Sequence, residues 1–204
     1  AQLGTCHAGS VEDLEGILKF VEDNKIDFTV IGPEVPLCLG LADLLEDNGH
    51  KVFGPRKASA TLEGSKAFSK DFMKKYNIPT AEYEVFDNCD AALEYLKTAP
   101  IPTVVKADGL ALGKGVIIAQ NLEEAKTAVK SMMKDKVFGA SGSNVVIEEF
   151  LTGPEVSVLS FTDGKTLVPM VSSMDHKRAL DFDQGLNTGG MGTFSPSPFY
   201  TEEI

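Results

Sequence analysis

Apolar residues along the first fifty positions recur at helical spacing and then give way to short unbroken runs. Val11, Leu14, Ile17, Leu18 and Val21 share one face of a 3.6-residue period, so the spacing predicts a helix over 11–24 with Ser10 as its N-cap. Ile26 to Ile31 predicts a strand that runs into Gly32, Pro33 and Glu34. A second helix is predicted over 37–48, stopped by Asn48 and Gly49, followed by a short strand at Lys51, Val52 and Phe53. This alternation points to a doubly wound parallel sheet. Gly32, Pro33 and Glu34 would then sit at the carboxyl end of a strand, where ligands bind in such sheets.

Residues 57–77 read as largely helical and end before Pro79. The pattern then restarts. Strands are predicted over 83–86, 102–107, 116–119 and 145–150, with helices over 88–98 and 121–135, the latter opened by an Asn121/Glu124 cap. The order β-α-β-β-α-β gives a compact unit of split βαβ type. Beyond Gly153 a hairpin is predicted from 154–162 and 165–171 across Asp163 and Gly164. Residues 174–198 are polar and rich in Gly, Asp and Asn. A stretch so long with little periodicity is usually functional or disordered.

The middle of the split unit holds the chain's most informative segment, Val104-Val105-Lys106-Ala107-Asp108-Gly109-Leu110-Ala111-Leu112-Gly113-Lys114-Gly115-Val116. Glycines let backbone N–H groups approach an anion closely, and two lysines beside them favour polyphosphate. The spacing is not a P-loop, which needs G-x-x-x-x-G-K-[ST] before a helix. The segment reads either as a hairpin flap over phosphates or as an ordinary glycine-rich turn.

Composition narrows the partners. Lys+Arg 19 against Asp+Glu 30 gives a net charge of −11. Such an acidic chain argues against general nucleic-acid binding, so an anionic ligand needs a local cluster of cations and N–H groups. Cys6, Cys38 and Cys89 are odd in number and far apart, which fits a reduced cytoplasmic protein without disulfides or a zinc site. No apolar run approaches the about 20 residues of a membrane span, and no signal segment opens the chain.

Several residues invite chemistry, each with a plainer alternative. Lys106 lies on an apolar strand and is either phosphate-bound or an edge residue facing solvent. Lys66 lies near a helix start, where the dipole favours anions, or is a solvated surface lysine. Glu148 and Glu149 end a strand; for an isolated pair, one would face solvent and the other would pair with a lysine. Glu155, on a following strand, suits a ribose. Asp175, His176, Lys177 and Arg178 form a dense charged cluster, and 187–192 supplies exposed N–H groups. Together they suit a small anionic substrate; separately they are surface runs. His176 lacks a located partner for general-base work.

These pieces, in this order, resemble the ATP-grasp superfamily and, more narrowly, the phosphoribosylamine–glycine ligase family. The segments that carry the resemblance are Val30-Ile31-Gly32-Pro33-Glu34, Leu62-Glu63-Gly64-Ser65-Lys66-Ala67-Phe68, the glycine run, Ile147-Glu148-Glu149-Phe150-Leu151, Asp175-His176-Lys177-Arg178 and Asn187-Thr188-Gly189-Gly190-Met191-Gly192. The resemblance implies an α/β ATP-grasp fold. It would comprise a partial Rossmann-like N-terminal (pre-ATP-grasp) domain at 1–61, a helical connection at 62–79, a small α+β lid at 80–150 and the start of a central domain at 151–204. It implies ATP-dependent joining of glycine to 5-phosphoribosylamine through a glycyl phosphate. Attack of one anion on another needs neutralisation by lysines, arginines and Mg2+ (or Mn2+).

Carried over residue by residue, the resemblance assigns Lys66 and Lys106 to ATP phosphates, with Gly109, Gly113, Lys114 and Gly115 closing over them. Glu148, Glu149, Phe150 and Leu151 would meet adenine, and Glu155 the ribose. Asp175, Lys177 and Arg178 would be catalytic, with Asp175 and His176 facing glycine. Gly32, Pro33 and Glu34, together with Asn187, Thr188, Gly189, Gly190 and Met191, would face phosphoribosylamine. No metal ligand is expected in this chain; the family's lie downstream of residue 204, and its opening strand and glycine turn lie before Ala1. The chain is therefore expected to be an internal fragment that binds ATP weakly and does not turn over alone. The alternatives are another ATP-grasp ligase, a non-catalytic nucleotide-binding module and a plain α/β domain. No nucleic-acid or membrane partner is expected.

Overall fold

A computed structural model describes residues 3–111, 115–182 and 184–201, with Leu186 and Asn187 described by backbone alone. The chain divides into two compact units: Ala1–Thr80 with Asp108–Leu110, and Ala81–Ala107 with Ala111–Ile204.

In the first unit, helix α1 (Leu14–Asp23) starts three residues later than its apolar spacing suggests. The cap is Asp13, which accepts from Gly16 N at 3.0 Å, rather than Ser10. Ser10 instead accepts from Glu12 N and shapes the turn before the helix. Leu14, Ile17, Leu18 and Val21 pack onto Ile31, Leu41 and Leu45, as the periodicity requires.

Strand β1 is only Thr29–Val30, because Ile26 N is still bonded to Val21 O at the helix end. The helix expected over 37–48 is two helices, α2 (Glu34–Leu39) and α3 (Leu41–Asp47). Gly40 separates them at φ +102°, a conformation glycine adopts without Cβ strain. α2 begins earlier than expected because Pro33 serves as N-cap and Pro36 falls in the first turn, where a missing N–H costs nothing. Strand β2 (Val52–Phe53) pairs with β1 in parallel. The helical stretch expected over 57–77 is also divided, into α4 (Lys57–Gly64) and α5 (Lys66–Lys75), by an extended Ser65.

The second unit follows the predicted order closely. β3 (Tyr83–Phe86), α6 (Cys89–Tyr95), β4 (Thr103–Ala107), β5 (Val116–Ala119), α7 (Leu122–Met133) and β6 (Val145–Glu149) build a four-stranded sheet of order β3-β6-β4-β5. Every pairing is antiparallel. Consequently β3 and β4 run the same way with β6 between them, and β5 and β6 run the same way with β4 between them, two interlocked split βαβ units. Val105, Ala107, Ala119, Val145 and Ile147 face α6 and α7 and meet Leu96, Val129 and Met132 in one core. The Asn121/Glu124 cap is reciprocal: Asn121 Oδ1 accepts from Glu124 N at 2.9 Å, and Glu124 accepts from Gln120 N at 2.8 Å.

Beyond the sheet, the expected hairpin is shorter: β7 (Ser160–Thr162) and β8 (Leu167–Pro169) pair antiparallel. Asp163 Oδ1 accepts from Lys165 N and Thr166 N, which makes the turn and lowers its carboxyl pKa. The stretch read as irregular contains two small antiparallel ladders. β9 (Met174–Asp175) pairs with β12 (Thr193–Phe194), and β10 (Arg178–Leu180) with β11 (Gln184–Asn187). Glycines and polar residues hid these two- to four-residue strands from a period-based reading.

Candidate functional site

Strands β4 and β5 stay paired up to Lys106 and Val116, and Ala107 N donates to Gly115 O at 2.8 Å to close the base of the glycine turn. A Cβ on Gly115 would lie 2.6 Å from Ala111 Cβ, so only glycine fits there. Gly113 and Lys114 lie outside the described residues.

Lys106 and Val104 point away from the helices, onto the opposite face of the sheet. There Lys106 Nζ forms an ion pair with Glu148 on β6, across a ladder diagonal. The Glu148 side chain is only 3% exposed and that of Lys106 29%, so the pair is made where charge is poorly solvated. Glu149 lies on the other face, is exposed, and accepts from Glu82 N at 3.3 Å. This is the arrangement anticipated for the two glutamates taken by themselves.

A cavity of about 940 Å³ opens in this unit. It is lined by Ile118, by Phe150, Leu151 and Glu155, and by Asp175, His176, Lys177 and Arg178. Three groups singled out separately in the sequence thus share one cavity, of a size suited to a small molecule. Lys177 Nζ bridges two acids, Asp175 at 2.8 Å and Glu155. Burial opposes its charge, but the hydrogen bonds to Asp175 and Glu155 prevail and raise its pKa above the usual 10.5. Arg178 donates to Gly185 O at 2.8 Å. Glu155 lies in the loop before β7, not on a strand. Ile118, Met174 and Phe182 also line the cavity and escaped the sequence reading. The alternation along β5 places Ile118 beside Val104 and was the available signal for it.

Of the N–H groups expected to be exposed over 187–192, those of Thr188, Gly190 and Met191 are bonded within the protein. Thr188 N donates to Lys177 O at 2.7 Å, Met191 N to His176 O at 2.7 Å, and Gly190 N to Thr188 Oγ1 at 3.0 Å. The Thr188 and Met191 bonds hold Lys177 and His176 by their main-chain carbonyls, and the Gly190 bond closes a local turn on the Thr188 side chain. The His176 ring lies 5.6 Å from that of Phe194.

In the first unit, Gly32, Pro33 and Glu34 occupy the junction from β1 to α2, the strand-end position expected. Lys66 opens α5, and its Nζ donates to Gly109 O at 3.0 Å. The positive end of that helix was expected to favour a bound anion. Instead the protein's own Asp108 carboxylate takes it, accepting from Ala67 N at 2.8 Å. Among the described residues, no three His, Cys, Asp or Glu side chains form a metal-holding group, and no helix is long and apolar enough to cross a membrane.

Residues 64–204 match the family model "Phosphoribosylglycinamide synthetase, ATP-grasp (A) domain", and residues 1–63 match the N domain of the same synthetase. The chain belongs to the phosphoribosylglycinamide synthetase family. Its fold is accordingly the α/β ATP-grasp fold. Within the family, it is 52% identical over 204 residues to phosphoribosylamine–glycine ligase of Clostridium acetobutylicum, covering all of this chain and 49% of that protein. A crystal structure of phosphoribosylamine–glycine ligase from Thermotoga maritima matches 95% of this chain and 46% of its own, with 38% identity and a TM-score of 0.79. The biotin carboxylase domain of Hydrogenobacter thermophilus 2-oxoglutarate carboxylase, solved with MgADP and bicarbonate, shares the fold at 19% identity (TM-score 0.70; 85% of this chain, 40% of that one). The chain spans about half the length of the relatives it matches.

Proposed function

We propose that the chain forms the ATP- and glycine-handling part of a ligase that joins glycine to 5-phosphoribosylamine. The products are glycinamide ribonucleotide, ADP and phosphate, as in de novo purine biosynthesis. The observation that carries this reading is the single cavity holding Phe150, Leu151 and Glu155 together with Asp175, His176, Lys177 and Arg178, in a chain of this family. The segment 148–151 meets adenine and Glu155 the ribose. Lys66, Lys106 and the turn 109–115 attend the phosphates. In domain terms, 1–61 is the partial N-terminal domain, 62–79 a connection, 80–150 the lid and 151–204 the start of the central domain.

Glycine's carboxylate oxygen attacks the γ-phosphorus as the bond to ADP breaks. The amine nitrogen of phosphoribosylamine then attacks the acyl carbon, and phosphate leaves with the electron pair. Lysines beside the triphosphate reduce the repulsion between the two anions, and a closed turn keeps water from the acyl phosphate. Asp175, held by Lys177, faces the glycine ammonium; Lys177 and Arg178 balance the carboxylate. Gly32, Pro33, Glu34 and 187–191 serve phosphoribosylamine.

ATP-grasp ligases use ATP with Mg2+, and Mn2+ would serve in its place.

The test is ADP release by the full-length protein with a panel of acids and amines. Release that requires both glycine and phosphoribosylamine supports the proposal. Release with glycine but only a different amine defeats the substrate assignment, and no nucleotide-dependent rise in Tm defeats the nucleotide site.

A further inference from the structure

The first turn of α5 is capped from a distance of more than forty residues. Lys66 N donates to Asp108 O at 3.1 Å, Ala67 N to Asp108 Oδ1 at 2.8 Å, and Phe68 N to Ser65 Oγ at 3.1 Å. Ser65 Oγ in turn donates to Asp108 Oδ1 at 3.0 Å. Three of the N–H groups that a helix start leaves without an intrahelical partner are thus satisfied, two of them by one remote residue. The same residue roots the glycine turn. The Lys66 ammonium folds back onto that root, donating to Gly109 O at 3.0 Å and Asp108 O at 3.4 Å.

The geometry points to Asp108 as a positioning residue: it binds the start of the glycine turn, Asp108 and Gly109, to the first turn of α5 and so holds Lys66 in one place for the nucleotide phosphates. This inference rests on the nucleotide reading above. A carboxylate at the root of a phosphate-gripping turn would repel a triphosphate if its charge faced the ligand. Here its Oδ1 accepts two hydrogen bonds and faces the positive end of a helix, which offsets that charge. The sequence shows Asp108 only as a polar residue inside a turn. Its partners lie on a different element and are invisible to spacing.

The experiment is steady-state kinetics on the full-length protein with Asp108→Ala, Asp108→Asn, Lys66→Met and the double variant Lys66→Met/Asp108→Ala. Asp108→Ala should raise the KM for ATP roughly tenfold through misplacement of Lys66. The KM for glycine should stay within about twofold of the parent. Asp108→Asn should recover part of the loss, since its Oδ1 still accepts from Ala67 N and Ser65 Oγ; it also carries the test if the alanine variant does not fold. The double variant should be no worse than Lys66→Met alone, and Ala67 N–H exchange should speed up in Asp108→Ala but not in Lys66→Met. A normal ATP KM in both Asp108 variants beside a raised one in Lys66→Met overturns the positioning role alone. So do equal losses for ATP and glycine, or additive effects in the double variant. A silent Lys66→Met overturns the nucleotide reading and this inference with it.

Discussion

Lys106 on β4 and Glu148 on β6 form an ion pair on the sheet face turned away from the helices. Their main-chain positions are set by the ladder, where Lys106 is opposite Val146 and Glu148 opposite Val104. The pair therefore exists before any ligand arrives, and it holds an ammonium in place at the edge of the glycine turn.

Replacing Lys106 has two separable effects. On the proposed phosphate role, Lys106→Met should weaken ATP binding by about 1.5–3 kcal/mol, the worth of a charge-assisted hydrogen bond. It also leaves a buried carboxylate without this counter-charge, a destabilisation of up to about 3–5 kcal/mol. The double variant Lys106→Met/Glu148→Gln should regain most of the Tm while ATP affinity stays low. Calorimetric titration showing parental affinity in the double variant would remove Lys106 from the phosphate site.

Lys177 gives a pH signature. Its pKa is raised in the folded chain above 10.5, chiefly by Asp175 and Glu155 working against burial. A raised pKa means that the folded state holds the proton more tightly than the unfolded one. The stabilisation is therefore complete below pH 10.5 and lost as pH climbs through the higher folded value. Melting curves of the parent and Lys177→Gln should differ by a constant amount from pH 8 to 10 and converge at more alkaline pH. A difference that vanishes already near pH 8 would show that the bridge is not formed in solution.

Asp175 is proposed to face glycine, and the adenine and ribose contacts are assigned to other residues. Asp175→Asn should raise the KM for glycine by roughly tenfold or more and leave that for ATP within about twofold. Equal rises for both substrates would mean that Asp175 organises the whole cavity through Lys177 instead.

Gly115→Ala tests the base of the turn. Its Cβ would stand 2.6 Å from Ala111 Cβ and 3.1 Å from Ala107 Cβ. Relieving that overlap should cost about 1–3 kcal/mol, a Tm loss of roughly 2–4 °C for each kcal/mol. The bond from Ala107 N to Gly115 O should be disturbed as well, slowing turnover. A parental Tm and rate would mean that the turn accommodates a side chain at this position.

Elements with strong local signals are legible in the sequence. Strands 83–86 and 116–119 emerge with the predicted bounds, and the Asn121/Glu124 cap forms as the residue types suggest. Signals two or three residues long were not legible: β9, β10 and β12 carry no period to detect. Gly40 and Ser65 divide helices whose apolar spacing runs on through the break, because one backbone conformation ends a helix without altering its pattern of side chains.

Sequence alone determined the α/β class, the split βαβ order, the glycine turn between two strands and the residue types available for a polyphosphate. These follow from periodicity and from backbone preferences, which are local properties. Only the tertiary structure decided how the charged groups are used. It paired Lys106 with Glu148, placed Lys177 between Asp175 and Glu155, bonded the Thr188 and Met191 amides to Lys177 and His176, and brought Asp108 onto the start of α5. Each of these depends on which faces and ends the folded chain sets side by side, and hydrogen bonds and ion pairs between remote residues leave no trace in spacing along the chain.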